Sequence, residues 1–223
     1  MKLSQYDKIL FIGDSITDAG RQRPVGEGGF NQLGEGYPSQ VDAILSAVYP
    51  ELHLRVLNTG ISGDTVRRLK ERWQTDVLDL QPDWLSIMIG TNDVWRQFDR
   101  PLHTEEHVYL DEYEQTLREL VEQTRPLVKG IVLMTPFYLE PNLEDPMRAT
   151  MDVYGAAVKR VAEEFDCILV DTQAAFDALS EHIYVSSLSH NWDRVHPGNR
   201  GHMTLARGFL RAIDFSWNGE GHA

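Results

Sequence analysis

Four short segments of this 223-residue chain each carry a residue type that ester cleavage through a serine requires. Ser15 supplies a hydroxyl, and His196 supplies the base that must take its proton before it can attack a carbonyl. Asp193 precedes the histidine by three residues, a spacing at which a turn brings a carboxylate to Nδ1 and fixes the tautomer. Gly63 and Asn92 add an uncovered backbone N–H and an amide, two donors suited to an oxyanion. The combination predicts acyl transfer through a Ser–His–Asp triad.

Each of these residues also has a simpler interpretation on its own. A serine such as Ser15 is a common helix N-cap, and glycine and asparagine are common in turns. An aspartate three residues before a histidine also occurs as a surface ion pair or as two metal ligands. The catalytic interpretation therefore depends on all the segments meeting in one place, where the backbone N–H of Ser15 becomes a third oxyanion donor.

Further residues are candidates for contact with a ligand. Asp14 lies beside the predicted nucleophile, and we expect it to contact the substrate. Tyr184 and Trp192 offer flat apolar rings for a sugar, although packing within the core is the alternative for both. His103 and His107 are spaced for one helical face, so a metal site and a loop or subunit contact both remain open. Because no H-E-x-x-H motif or cysteine partner accompanies the histidines, the sequence favours the contact over the metal site, and we expect no metal and no cofactor.

The elements that position these residues can be predicted from hydrophobic periodicity. Short, nearly continuous apolar runs are typical of parallel strands buried on both faces, and they fall at 8–12, 54–57, 84–89, 131–134 and 167–170. Amphipathic stretches predict helices at 38–48, 65–78, 110–127, 146–165 and 172–179, and from Pro197 to about 213. This alternation predicts right-handed crossovers and a doubly wound sheet.

The predicted nucleophile and oxyanion donors follow the first three predicted strands. Because ligands bind beyond the carboxyl ends of the strands in open parallel sheets, we expect Ser15, Gly63 and Asn92 to meet at that edge. Two stretches are predicted to be irregular. The glycine-rich segment 20–36 is expected to be a flexible loop near the site, and segment 94–109 to line a pocket or contact another subunit.

The composition narrows the class of protein. A length of 223 residues suits one domain, predicted here as 1–223. The formal net charge of −13 argues against nucleic-acid and anionic-membrane partners and suits a small neutral substrate. No apolar run is long enough to span a membrane, and the N-terminus has no hydrophobic signal region. The single Cys167 fits a reducing compartment, so we expect a cytoplasmic protein.

The four segments, in this order, resemble those of the SGNH (GDSL-type) hydrolases. Ser15, Gly63, Asn92 and His196 occupy the positions of the four residues that give the family its name, with Asp193 as the third triad member. The resemblance spans almost the whole chain. It implies a flavodoxin-like three-layer α/β/α sandwich around a central five-stranded parallel sheet, and ester hydrolysis without a metal.

Longer segments at 11–18, 86–90, 92–97, 170–176 and 192–197 look like the bacterial serine acetylxylan esterases of that family. This resemblance implies removal of O-acetyl groups from xylo-oligosaccharides or related acetylated sugars through an acetyl-enzyme. Aromatic residues in segments 95–98 and 215–217 lie in predicted loop or terminal positions, so we expect a homo-oligomer.

Other functions compete with this one. Within the same chemistry, a lysophospholipase or thioesterase would act on longer acyl chains. A phosphohydrolase would use Asp14 as nucleophile with Mg²⁺ held by Asp18 and Asp93, but the second aspartate of a D-x-D motif is absent. A catalytically inactive carbohydrate-binding module is a third possibility, and the complete triad argues against it.

Overall fold

The first predicted strand lies in the middle of a six-stranded sheet. A computed structural model describes residues 1–190 and 192–217. The strands, in spatial order, are β2 (Gly26–Glu27), β3 (Arg55–Asn58), β1 (Lys8–Gly13), β4 (Trp84–Met88), β5 (Gly130–Met134) and β6 (Ile168–Val170). All neighbours are parallel except the two-residue β2, which pairs antiparallel with β3. The predicted five-stranded parallel sheet is therefore confirmed. Strand β2 was not predicted, because it lies in the glycine-rich segment.

Successive residues of the central strands point into two separate cores. Leu10 and Ile12 belong to one hydrophobic cluster, whereas Ile9 and Phe11 belong to the other. This alternation follows from the period of two along a strand, and it explains why each strand reads as continuously apolar. Helices cover both faces, which gives the predicted three layers.

Six of the helices correspond to predicted ones and differ from them mainly at their ends, and two short helices, the first and the fourth along the chain, were not predicted. They are α1 (Ser15–Asp18), α2 (Tyr37–Val48), α3 (Val66–Glu71), α4 (Thr91–Asp99), α5 (Leu110–Thr124), α6 (Pro146–Glu164), α7 (Thr172–Ser180) and α8 (Asn199–Ala212). Helices α3, α5 and α6 pack on one face of the sheet, and α2, α7 and α8 pack on the other. Among residues 1–190 and 192–217, no helix is long and apolar enough to cross a membrane.

Two predicted helices differ from the observed ones. The helix predicted at 65–78 is divided into α3 and a π-helical turn at Gln74–Leu78, and Arg72 between them turns inward to the carboxylates of Asp64 and Asp76. The last helix begins at Asn199 rather than at Pro197, because Pro197 forms an isolated bridge with Ser189.

The prediction that 94–109 is irregular was wrong in its first part. Helix α4 begins at Thr91, directly after β4, and its first turn is buried. Its polar residues Asn92, Asp93 and Gln97 form hydrogen bonds with other segments of the fold, and no local pattern shows these bonds. The predicted domain 1–223 includes Asn191 and residues 218–223 with His222, which lie outside the described residues.

Candidate active site

Ser15 occupies the turn between the central strand β1 and the short helix α1. Asp14 is the N-cap of this helix, and its Oδ1 accepts the N–H of Ile16 at 2.9 Å. The turn is tight, because a Cβ at Gly13 would lie 2.2 Å from the carbonyl oxygen of Met88. The half-buried Ser15 is thereby held at the carboxyl edge of the sheet.

The predicted triad residues lie within hydrogen-bond distance of each other. Ser15 Oγ is 2.9 Å from His196 Nε2, and His196 Nδ1 is 2.6 Å from Asp193 Oδ2. Since an ionised carboxylate only accepts hydrogen bonds, Nδ1 carries the proton and Nε2 is free to accept the serine hydrogen. This is the arrangement in which a serine can be deprotonated during attack.

The second oxygen of Asp193 orders the turn itself. Its Oδ1 accepts the backbone N–H groups of Val195 and His196, both at 2.9 Å. Burial works to raise the pKa of Asp193, but the hydrogen bonds from His196 and Val195 outweigh it, and the pKa lies below its usual value. The carboxylate therefore stays charged at neutral pH. The predicted turn at His196, ahead of Pro197, is present.

The histidine ring is braced by groups that sequence analysis did not identify. The ring of Trp95 on α4 meets that of His196 edge-on, with centroids 5.7 Å apart. The guanidinium of Arg96 lies over the ring of Trp95, 4.5 Å from its centroid. Val195 is buried in the core, and the carbonyl of Arg194 accepts the N–H of Leu139 at 2.9 Å. These contacts fix the position of the ring.

The amide of Asn92 has one donor hydrogen left for a substrate. Its Nδ2 donates to the carbonyl of Asp64 at 3.0 Å, and its Oδ1 accepts a hydrogen bond from Arg96 at 3.0 Å. These two bonds determine which end of the amide is nitrogen, and they leave one N–H without a partner among the described residues. Arg96 was missed, although its spacing of four from Asn92 would have indicated the contact if a helix had been predicted there.

Gly63 lies in the loop that follows β3. Its φ of +85° is in the left-handed region, where glycine is favoured. Within the described residues, neither its N–H nor that of Ser15 donates to a protein acceptor. The loop is fastened beside Ser15 because Ile61 N–H donates to the carbonyl of Gly13 at 3.0 Å. The structure thus places all three predicted oxyanion donors at adjoining strand ends.

A buried carboxylate holds the same loop from the other side. Asp18 Oδ2 accepts both the N–H and the hydroxyl of Ser62 at 3.0 Å, and it pairs with Arg23 at 2.6 Å. Burial alone would raise the pKa of Asp18, but the hydrogen bonds from Arg23 and Ser62 lower it below its usual value. No sequence pattern connects these residues, so this anchor was not predicted.

Asp93 is a fully buried carboxyl group that holds the start of α3. Its Oδ1 accepts the N–H of Val66 at 2.9 Å, whereas Oδ2 has no hydrogen-bond partner among the described residues. Burial, opposed by the Val66 hydrogen bond, raises the pKa of Asp93 to about 8. The group is therefore mostly protonated at neutral pH.

The aspartates proposed for a phosphohydrolase do not converge on a common site. Asp14 caps α1, Asp18 pairs with Arg23, and Asp93 is bound to the N–H of Val66. Among residues 1–190 and 192–217, no group of three or more histidine, cysteine or acidic side chains could hold a metal ion. His107 contacts the Arg100 carbonyl and the Tyr109 hydroxyl within its own loop.

The predicted substrate contacts are not all at the nucleophile. Ser15 and His196 line a pocket of about 430 Å³, whose other walls are Ile16, Ala19, Glu35, His190, Pro197, Gly198, Asn199 and His202. Tyr184 and Trp192, 81% and 78% exposed, line a neighbouring groove whose walls include neither Ser15 nor His196. Asp14 is only 1% exposed and is engaged as a helix cap, so the expected direct contact with substrate is not supported.

The geometry agrees with a comparison against protein families. The model of the GDSL-like lipase/acylhydrolase family matches residues 11–203. The chain belongs to this family. The match includes every residue of the predicted triad and oxyanion hole, and this hydrolase is also similar to characterised and solved relatives.

An acetylxylan esterase of Geobacillus stearothermophilus is 62% identical over 217 residues, which cover 97% of this chain and 98% of the relative. Its crystal structure superposes with a TM-score of 0.95 over the same shares of the two chains. Other structures of that esterase are described as catalytic mutants with a serine, histidine or aspartate changed to alanine. An α/β hydrolase from the metagenome of Lake Arreo, Spain, is 52% identical, with a TM-score of 0.93 over 96% of this chain and 98% of that one.

The raised pKa of Asp93 predicts a specific dependence of stability on pH. Below its ordinary value of 3.8 the group is protonated in both states, but as pH rises to about 8 only the unfolded state releases the proton. Because the unfolded state releases this proton and the folded state keeps it, the free energy of unfolding falls by up to about 1.4 kcal/mol per pH unit. The Asp93→Asn variant has no such proton, so its stability relative to wild type should increase between pH 4.5 and 8.

Urea unfolding across this pH range measures the effect. The asparagine adds a buried N–H₂ group, but the cost of that group is the same at every pH. The quantity to compare is therefore how the difference in free energy of unfolding between Asp93→Asn and the wild type changes with pH. Asp111→Asn, at an exposed position, is the matched control and should follow the wild type. A constant difference between Asp93→Asn and wild type would show that Asp93 is ionised in the folded protein.

Proposed function

We propose that this protein is a serine carbohydrate esterase that removes O-acetyl groups from xylo-oligosaccharides or related acetylated sugars. The hydrogen-bonded series Ser15–His196–Asp193 is the observation that carries the proposal. The identity of 62% to an acetylxylan esterase over nearly the whole of both chains supports the sugar acetate as the substrate class.

In the first half of the proposed reaction, Ser15 Oγ attacks the acetyl carbonyl carbon while His196 Nε2 takes the hydroxyl proton. The carbonyl oxygen becomes an oxyanion, and the N–H groups of Ser15 and Gly63 and the free N–H of Asn92 stabilise it. Asp193 stabilises the imidazolium that forms. As the tetrahedral intermediate breaks down, His196 gives its proton to the sugar oxygen, which leaves as a hydroxyl group.

The second half repeats these steps with water as the nucleophile. His196 Nε2 takes a proton from a water molecule that attacks the acetyl-serine, and the same donors stabilise the second oxyanion. Breakdown returns the proton to Ser15 Oγ and releases acetic acid, which loses its proton to solvent and becomes acetate. No step needs a group from outside the protein except the substrate and water.

The acyl specificity can be tested with nitrophenyl esters of increasing chain length and with acetylated xylo-oligosaccharides. We expect the acetyl ester to be cleaved fastest and the rate to fall steeply with chain length. Ser15→Ala should abolish activity on every ester, with an unchanged circular dichroism spectrum, because one hydroxyl contributes little to stability. Faster cleavage of octanoyl than acetyl esters would instead favour a lysophospholipase or thioesterase.

The triad assignment predicts that the effects of two substitutions do not add. His196→Ala removes the base, so Asp193 then has no ring to orient, and the additional change Asp193→Ala should lower kcat very little further. Steady-state kinetics of the two single variants and the double variant measure this. If the two losses multiplied, Asp193 would have a role separate from His196.

Asn92→Ala is the control for this experiment. The oxyanion donors act even without the base, so this change should lower kcat by about 10²–10³ both in the wild type and in the His196→Ala background. The comparison separates residues that act as one unit from a donor that acts on its own.

We further propose that the protein is a homo-oligomer. Several large apolar side chains are exposed, among them Phe98, Trp192 and Trp217, and aromatic residues are enriched at the cores of subunit interfaces. Trp95 no longer supports this proposal, since it packs on His196 within the chain. Light scattering at micromolar concentration should give a multiple of 25.5 kDa, and a monomeric mass would contradict the proposal.

A further inference from the structure

One histidine near the nucleophile is not used by the reaction. His202 lies on α8, is 9% exposed, and lines the same pocket as Ser15 and His196. Its Nδ1 accepts the backbone N–H of Tyr37 at 3.2 Å, in the first turn of α2. The exposed part of the ring therefore belongs to the pocket in which the ester would be cleaved.

The hydrogen bond from Tyr37 decides which nitrogen of His202 carries the proton. A nitrogen that accepts an N–H hydrogen bond has no hydrogen of its own, so in the neutral ring the hydrogen is on Nε2. Burial, with the nearby His196 and His190, lowers the pKa of His202 to about 4, and the ring is neutral at physiological pH. Nε2 is consequently a hydrogen-bond donor and not a second base.

This donor has no acceptor among residues 1–190 and 192–217. Among the described residues Nε2 makes no hydrogen bond. It is also not one of the buried side-chain atoms that lack a partner, which belong to Gln40 and Asp93. Nε2 is therefore open to the pocket. A donor that faces a polar pocket beside a nucleophile is suited to bind a hydroxyl oxygen of a substrate.

The chemistry of the proposed reaction determines where the sugar lies. His196 Nε2 must deliver its proton to the sugar oxygen as the ester breaks, so that oxygen has to come within hydrogen-bond distance of His196. The sugar ring then lies in the pocket that Ser15 and His196 line together, whose walls also include His202 and the polar residues Glu35 and Asn199.

We propose that His202 binds the sugar, and that its Nε2–H donates to a hydroxyl or ring oxygen next to the acetylated position. This inference rests on the proposed function and identifies the sugar-binding part of that site. His202 is then a specificity residue: it distinguishes acetylated sugars from simple acetate esters that have no oxygen at this place. Its bond to Tyr37 keeps the donor oriented.

Two substitutions separate sugar binding from a purely structural role. In His202→Asn the amide oxygen takes the place of Nδ1, so the acceptor for Tyr37 is kept and the donor is lost. In His202→Gln the longer amide brings an N–H₂ group to the place of Nε2, so the donor is kept and the acceptor for Tyr37 is lost. His182→Asn, at an exposed histidine away from the pocket, is the matched control.

The kinetics are measured with an acetylated xylo-oligosaccharide and with nitrophenyl acetate, and the melting temperature is recorded for each variant. For His202→Asn we expect KM for the sugar ester to rise about three- to tenfold with little change in kcat, because a hydrogen bond made equally in ground and transition states affects binding alone. Its rates on nitrophenyl acetate should match the wild type. His202→Gln should have a lower melting temperature but a KM for the sugar ester closer to that of the wild type.

The opposite pattern would overturn the inference. If His202→Asn behaved like the wild type on both esters while His202→Gln lost activity on both, His202 would only cap α2. If the wild type cleaved nitrophenyl acetate but no acetylated sugar, the proposed function would fail and this inference with it. Cleavage of the sugar ester with an unchanged KM in His202→Asn would overturn the inference alone.

Discussion

The site depends on one carboxylate that satisfies three donors at once. Asp193 accepts the N–H groups of Val195 and His196 as well as the ring N–H of His196, so a single side chain sets both the path of the backbone and the orientation of the base. The backbone on either side is strained, since Trp192 and Arg194 have φ values of +61° and +60°. Each such conformation costs about 1–2 kcal/mol for a residue with a side chain. Buried Val195 and the bond from Leu139 to Arg194 hold the strained turn in place.

The order of the strands explains why distant segments meet at that turn. β1 has β3 on one side and β4 on the other, and the chain crosses from one side of β1 to the other between them. The segments that directly follow these three adjacent strands carry Ser15, Gly63 and Asn92, the first and last at the starts of helices α1 and α4, so their proximity follows from the sheet alone. His196 reaches them from a loop 181 residues further along the chain, which is why it needs anchors of its own. A crevice of this kind, where the strand order reverses, is the usual place for a ligand in such folds.

Local patterns predicted the parts of this structure that local forces determine. The strands were predictable because residues such as Leu10 and Phe11 are buried on opposite faces, and the triad because acyl transfer needs those residue types. Helix α4 was not predictable, since its buried first turn is stabilised by contacts with other loops, such as that of Asn92 with Asp64. The contact of Trp95 with His196 depends on where α4 lies in the fold, and no spacing in the sequence encodes it.

Burial sorts the carboxyl groups around Ser15 and the predicted oxyanion donors into two kinds. Asp18 and Asp193 accept hydrogen bonds from cationic or N–H groups that outweigh burial, and their pKa values lie below the ordinary value. Burial dominates for Asp14 and Asp93, whose pKa values rise to about 7 and about 8. As charged carboxylates, Asp193 holds the base and Asp18 holds the Gly63 loop through strong hydrogen bonds. At neutral pH Asp93 is therefore mostly a neutral group and Asp14 is partly protonated, which limits the fixed negative charge beside the predicted oxyanion donors.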